Sequence, residues 1–252
     1  MRKKLLMGNW KMNKTIAEAK EFALASSKLA DLAYENNIDL GVAPVYLSLE
    51  AVKANANKRM IVAAQNCHYE DHGAFTGEVA IPMLKEIGID WVILGHSERR
   101  GYNNETSKEC NKKMKALFAN MMTPLYCCGE SLETFEAGKT KEFIKLQIEE
   151  GLEGLSKDQV KALVIAYEPI WSIGTGKNAS SEIAEDICGY IRGLIRDLYD
   201  EDTASTVRIL YGGSVKPENI KEYLSLEDVD GALVGGASLK IDSYEKLLTN
   251  IL

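Results

Sequence analysis

The chain is 252 residues long with a net charge of −7, and 46% of it is apolar. That is the balance of an ordinary globular domain, and the acidic charge with no basic run argues against a nucleic-acid partner. No apolar run approaches the ~20 residues of a membrane span, and Gly8-Asn9-Trp10-Lys11 breaks the N-terminal run too early for a signal peptide.

Short β-like runs recur along the chain with helical patterns between them. Strands are expected near Lys4–Trp10, Ile38–Ala43, Met60–Asn66, Asp90–Gly95, Thr123–Cys128, Leu163–Glu168, Thr206–Tyr211 and Gly231–Val234. Thr15-Ile-Ala-Glu18 is a capping box, after which Phe22, Ala25, Leu29 and Leu32 fall at helical steps. Thr106-Ser-Lys-Glu109 is a second box, ahead of Met114, Leu117 and Phe118. Ile144, Ile148, Leu152 and Leu155 form a further stripe. Ile183, Ile187, Ile191, Leu194, Ile195 and Leu198 form the clearest one. Short helices near Pro217–Leu224 and Ser243–Leu252 close the chain.

Eight strands alternating with helices, without a linker, predict one (β/α)8 barrel over residues 1–252. A doubly wound open sheet is the alternative, but no GxGxxG turn follows the first strand. In a barrel the chemistry gathers where the strands end, because those ends share one mouth. The unusual residues lie there: Asn9 and Lys11 after the first strand, His96, Ser97 and Glu98 after the fourth, and Glu168 after the sixth. Gly212-Gly213-Ser214 and Gly235-Gly236 follow the last two.

Each group has a chemical reading and a plain one. Glu168 ends a buried strand, with Pro169 stopping it and an apolar loop, Ile170-Trp171-Ser172-Ile173, leading to Gly174-Thr175-Gly176. The loop is either a lid over a ligand or a packed surface loop. The two Gly-rich turns suit phosphate, since bare backbone N–H groups bind an anion without net positive charge; otherwise they are tight turns. Lys11 is either a surface lysine or a fixed cation facing an anion, with Glu98 placed to pair with it. His96 is either a structural histidine or, as its strand-end place favours, a proton donor or electrophile; His68 and His72 read as solvated or interface residues. Taken together, Glu168 as base, His96 with Asn9 and Lys11 on an oxygen, and the loop as a water barrier would supply what proton removal beside a carbonyl needs.

The five cysteines, Cys67, Cys110, Cys127, Cys128 and Cys188, are odd in number and form no CxxC pair. This argues against a disulfide framework or a zinc site and fits a reducing, cytoplasmic location. Cys127 and Cys128 read as packing residues rather than nucleophiles.

From end to end the chain resembles the triosephosphate isomerase family. The resemblance rests on Gly8-Asn-Trp-Lys-Met-Asn13, Ala64-Gln-Asn-Cys67, Gly73-Ala-Phe-Thr-Gly-Glu78, Leu94-Gly-His-Ser-Glu-Arg-Arg100 and Cys127-Cys-Gly-Glu130. It rests further on Ala166-Tyr-Glu-Pro-Ile-Trp-Ser-Ile-Gly-Thr-Gly176, Tyr211-Gly-Gly-Ser-Val215 and Gly231-Ala-Leu-Val-Gly-Gly-Ala-Ser238. It implies interconversion of dihydroxyacetone phosphate and glyceraldehyde 3-phosphate through an enediolate, as in glycolysis and gluconeogenesis. By that resemblance Glu168 is the base and His96 a neutral electrophile, while Lys11 and Asn9 contact substrate. Gly174, Ser214, Gly235 and Gly236 would hold the phosphate, with Ser97, Glu98 and Cys127 in supporting places. No metal or organic cofactor is implied. A homodimer is implied, in which the loop Asn66–Glu78 enters the neighbour and Thr76 at its tip steadies Lys11 and Asn9. Ser172 and Cys128 depart from the residues usual in the family, alanine and an aliphatic one. A phosphopentose epimerase-like barrel and a silent phosphate-binding barrel are the competing readings.

Overall fold

Eight apolar runs are buried on both faces, so they can only be strands of a closed parallel sheet wrapped by helices. The computed structural model describes residues 2–173 and 179–252. Its strands are β1 (Lys4–Asn9), β2 (Ile38–Ala43), β3 (Met60–Ala64), β4 (Trp91–Leu94), β5 (Thr123–Cys128), β6 (Val164–Tyr167), β7 (Arg208–Tyr211) and β8 (Gly231–Val234). They pair in chain order, and β1 also pairs with β8, which closes a (β/α)8 barrel.

Two cores result from the strand's period of two. Leu5, Met7, Ala43, Ala63, Ile93, Leu125, Cys127, Val164, Ala166, Leu210 and Leu233 fill the barrel interior. Their neighbours, such as Leu6, Leu94, Cys128, Ile165 and Val234, pack outward against the helices. Continuing the inward period past the strand ends reaches Asn9 after Met7, Glu168 after Ala166, Gly212 after Leu210 and Gly235 after Leu233. The same alternation that fills the core therefore delivers these four positions to the mouth.

The eight strands match the expected runs to within two residues at each end. β3 stops at Ala64, and beyond it the Gln65 side chain turns to the neighbouring strand ends, where Nε2 donates to Ala43 O and Lys11 O, each at 2.9 Å. Both threonine capping boxes form. The first helical stripe is corrected. Ser26 is fully buried and its Oγ donates back to Ala23 O at 3.0 Å, dividing the segment into helices Ile16–Ala25 and Ser27–Glu35. The buried face is Ala19, Phe22, Ala23, Leu29, Ala30 and Ala33, whereas Ala25 is exposed. Leu198, at the end of the long helix Ser181–Leu198, is also exposed, because the helix runs past the core it covers.

That helix carries the main polar tie at the opposite end of the barrel. Arg192 is buried, and it pairs with Asp228 at 2.5 Å and Asp230 at 2.8 Å. It also donates to the carbonyls of Ala204 and Val207. Asp230 accepts from the N–H of Ile209 at 2.8 Å and pairs with Arg2 at 2.5 Å. Every nitrogen of the Arg192 guanidinium faces an acceptor, so removing one partner leaves buried charge unanswered. Asp230→Ala is expected to cost about 3 kcal/mol of stability. It should appear as a lower urea midpoint with unchanged slope; an unchanged midpoint would show that the cluster contributes nothing.

Candidate active site

The mouth holds a cavity of about 710 Å³, lined on its inner side by Asn9, Lys11, His96, Glu168, Gly212 and Leu233. Glu168 follows β6 directly. Its N–H still donates to Cys128 O at 2.8 Å, but Pro169 has no N–H with which to extend the ladder. The side chain is almost fully buried and held at both oxygens. Oε1 lies 3.0 Å from His96 Nε2, and Oε2 accepts from the N–H of Ser97 at 3.0 Å. Burial alone would push this carboxyl up. His96, the Ser97 N–H and Lys11 outweigh it and hold Glu168 below the usual carboxylate range, ionised.

His96 is the N-cap of the helix Ser97–Asn103, and its Nδ1 accepts from the N–H of Glu98 at 3.2 Å. Burial disfavours its imidazolium, but the Glu168 charge and hydrogen bond outweigh it and hold the ring above the usual imidazole range. The Glu98 N–H opposes that charge, because Nδ1 needs its lone pair to accept it, and so does the helix N-terminus.

Lys11 follows β1 in a left-handed conformation, φ 52°. Asn9 Oδ1 accepts from its N–H at 3.0 Å, and Gln65 donates to its C=O at 2.9 Å. Its Nζ pairs with Glu98 Oε1 at 2.8 Å, as the sequence suggested. The Gly-rich turns come close to these groups. A Cβ on Gly212 would lie 2.9 Å from Glu168 Cγ, and one on Gly235 would lie 3.4 Å from Lys11 Cε. Ser214, Gly235 and Gly236 line the cavity. Gly236 opens a single 3-10 turn, Gly236–Ser238, whose first N–H groups have no partner within the turn. The other Gly-rich turn, after β7, does not open a helix; the next one begins at Ile220.

Gly174 and the rest of the expected lid tip, to Gly176, lie outside the described residues. Before them, Ile170–Ser172 forms one 3-10 turn. Trp171 stacks on Phe135 at 4.3 Å, and its indole N–H donates to Glu130 at 2.8 Å. Ser172 is fully buried. Cys127 faces the barrel interior and Cys128 the helices, both buried. Burial pushes the Cys127 thiol well up and that of Cys128 up to about 12, which leaves both poor nucleophiles. Thr76 is exposed, in a stretch from Glu70 to Glu78 that is exposed throughout.

Sequence reasoning read Gly212 only as part of a phosphate turn, whereas it also makes room for Glu168, and it gave no role to Gln65, which fixes Lys11. Gln65 was within reach, because it follows β3 as Asn9 ends β1. It also missed Arg100 and Glu105, which both hold Gly95 beneath His96.

A buried carboxylate, an imidazole and a lysine around one barrel-mouth cavity suit an enzyme that moves protons on a small anion. The triosephosphate isomerase family model matches residues 4–251. A triosephosphate isomerase of Streptococcus mutans is 55% identical over 248 residues, 98% of each chain. One of Streptococcus pyogenes is 51% identical over 249 residues, again 98% of each chain. The chain belongs to the triosephosphate isomerase family, isomerases of the aldose–ketose type.

Proposed function

We propose that this chain interconverts dihydroxyacetone phosphate and D-glyceraldehyde 3-phosphate through an enediolate. The observation that supports it most is the pairing of Glu168 with His96 at 3.0 Å beside Lys11; in this reading His96 is neutral, with its proton on Nε2. In this reading the substrate enters between the two. Its carbonyl oxygen takes the His96 Nε2–H, and Glu168 removes the proton from the adjoining carbon. The electron pair moves into the C–C bond, and the former carbonyl oxygen becomes the enediolate oxygen beside Nε2–H and Lys11. His96 gives its Nε2 proton to that oxygen and takes the proton of the hydroxyl on the adjoining carbon, whose oxygen becomes the new carbonyl as Glu168 returns its proton to the former carbonyl carbon. Asn9 and Lys11 stabilise the charge, and Ser214, Gly235 and Gly236 hold the phosphate through backbone N–H groups. Gly174 belongs to this phosphate set by family resemblance.

A homodimer is part of the reading. Met12, Leu47 and Tyr102 are each more than 80% exposed, and they flank Lys11, Tyr46 and Arg99, which line a small cleft beside the catalytic cavity. A second copy would cover these side chains, and its Thr76 would enter the cleft. Sedimentation should give twice the mass of the chain; a monomer with full activity would count against it. A cytoplasmic location fits five buried, unbridged cysteines. Among the described residues no helix is long and apolar enough to cross a membrane.

The deciding experiment is isomerisation of glyceraldehyde 3-phosphate by the purified chain in the presence of a chelator. Fast turnover is expected. A folded protein that binds phosphate ligands without turnover would favour a silent phosphate-binding barrel.

A further inference from the structure

Both backbone polar groups of Gly95 are held by side chains. Its N–H donates to Glu105 Oε2 at 2.9 Å, and its C=O accepts from Arg100 Nε at 2.7 Å. Arg100 goes further. Its Nη2 donates to Cys127 O at 3.0 Å and to the Tyr126 hydroxyl at 3.2 Å, and its Nη1 donates to Ser107 Oγ at 3.2 Å.

These bonds replace a strand that has ended. The β4–β5 register stops at Leu94 and Tyr126. Successive carbonyls of a strand point to opposite neighbours. Cys128 O takes the N–H of Glu168 on the β6 side, so Cys127 O faces the β4 side, beyond the last residue of β4. Arg100 supplies the donor that β4 no longer provides.

The turn it grips aims the electrophile. Inward alternation along β4 would bring residue 95, not 96, to the mouth after Ile93. Gly95 is left-handed, φ 67°, and this turn places His96 there instead. A Cβ at Gly95 would lie 2.8 Å from Arg100 Nη2, so the guanidinium packs against the turn itself. Three contacts depend on it: His96 Nε2 to Glu168, the Ser97 N–H to Glu168, and the Glu98 N–H to His96 Nδ1.

We propose that Arg100 is a positioning residue for His96. Its planar fork pins the Gly95 turn to the end of β5 and so sets where the imidazole meets the substrate carbonyl. This rests on the reading of His96 as the electrophile. Lysine keeps the charge but lacks the fixed fork and cannot serve Gly95 O and Cys127 O in the same geometry.

The test compares Arg100→Lys and His96→Gln, singly and combined, in steady-state turnover of glyceraldehyde 3-phosphate, with nitrogen NMR of His96. Arg100→Lys is expected to lower kcat on the order of 10²-fold. KM should stay within about twofold, because the phosphate loops are untouched. The His96 ring signals should shift, and Arg100→Lys should cost little more once His96→Gln is present. Full kcat in Arg100→Lys, or a loss that multiplies undiminished in the His96→Gln background, would overturn the proposal. Near-normal turnover of His96→Gln alone would remove the electrophile reading and this proposal with it. If Arg100→Lys does not fold, Arg100→Ala with added guanidinium at non-denaturing concentration takes its place. Recovery of kcat supports positioning, and no recovery in the folded variant refutes it.

Discussion

Glu168→Gln is expected to lower kcat on the order of 10³- to 10⁴-fold while leaving phosphate binding within a few-fold. Two losses combine. The amide cannot accept the substrate proton. It also cannot reproduce the hydrogen bonds of the carboxylate, because both oxygens now face donors, His96 Nε2 and the Ser97 N–H. Whichever end carries the NH2 meets an N–H, so the side chain must turn away or His96 must change tautomer. Glu168→Asp separates the two effects. It keeps the base but draws it back by about one methylene, and it should lose about 10²-fold through geometry alone. Single-turnover measurements with a bound phosphate inhibitor as control would show which step fails. Near-normal turnover of Glu168→Gln would remove Glu168 from its role. A pH dependence follows as well. The folded-state pKa of Glu168 lies below its unfolded value. Its pairing therefore contributes stability above the ordinary carboxylate range of ~4.3, and that contribution is lost as pH falls through the depressed folded value. The stability gap between wild type and Glu168→Gln should narrow on acidification in that window.

The barrel and most of its mouth were legible because one rule serves both. Strands buried on two faces read as continuous apolar runs, and the residue just past each run is exposed to the cavity. Asn9, Glu168, Gly212 and Gly235 continue the inward period of two beyond Met7, Ala166, Leu210 and Leu233. His96 does not, and only the left-handed turn at Gly95 explains its place. A glycine before a histidine suggests such a turn. What holds the turn, Glu105 and Arg100, depends on where the helices after β4 settle, and no local pattern states that. The broken first helix was hidden for a different reason. Ser26 fits the helical stripe poorly as an apolar residue, yet its hydroxyl satisfies itself on Ala23 O and so can be buried. Periodicity counted Ala25 in its place because apolar character was the only signal in use.

Lys11→Met is expected to lower kcat/KM on the order of 10³-fold, with losses in both kcat and KM. The methionine side chain is of similar length, so the change removes the charge more than the volume. The site depends on that charge because the chain as a whole is acidic, at −7, and the substrate is an anion. The cation is also held at some cost. Lys11 sits at φ 52°, a conformation that disfavours non-glycine residues by about 1–2 kcal/mol. Asn9 and Gln65 hold its two backbone groups there, and the side chain crosses against the Gly235 turn to reach the cavity. Methionine keeps that backbone, so folding should change little. Glu98 loses its partner, and its carboxylate, left beside the cavity, adds repulsion to the lost attraction. Lys11→Met combined with Glu98→Gln should therefore recover part of KM but little of kcat, since the charge near the enediolate oxygen stays absent. Titration with inorganic phosphate would report the binding share, and turnover the remainder. A Lys11→Met protein with kcat/KM within tenfold of wild type would show that the backbone N–H groups of the Gly-rich turns suffice to hold the anion, and that Lys11 serves mainly to pair Glu98.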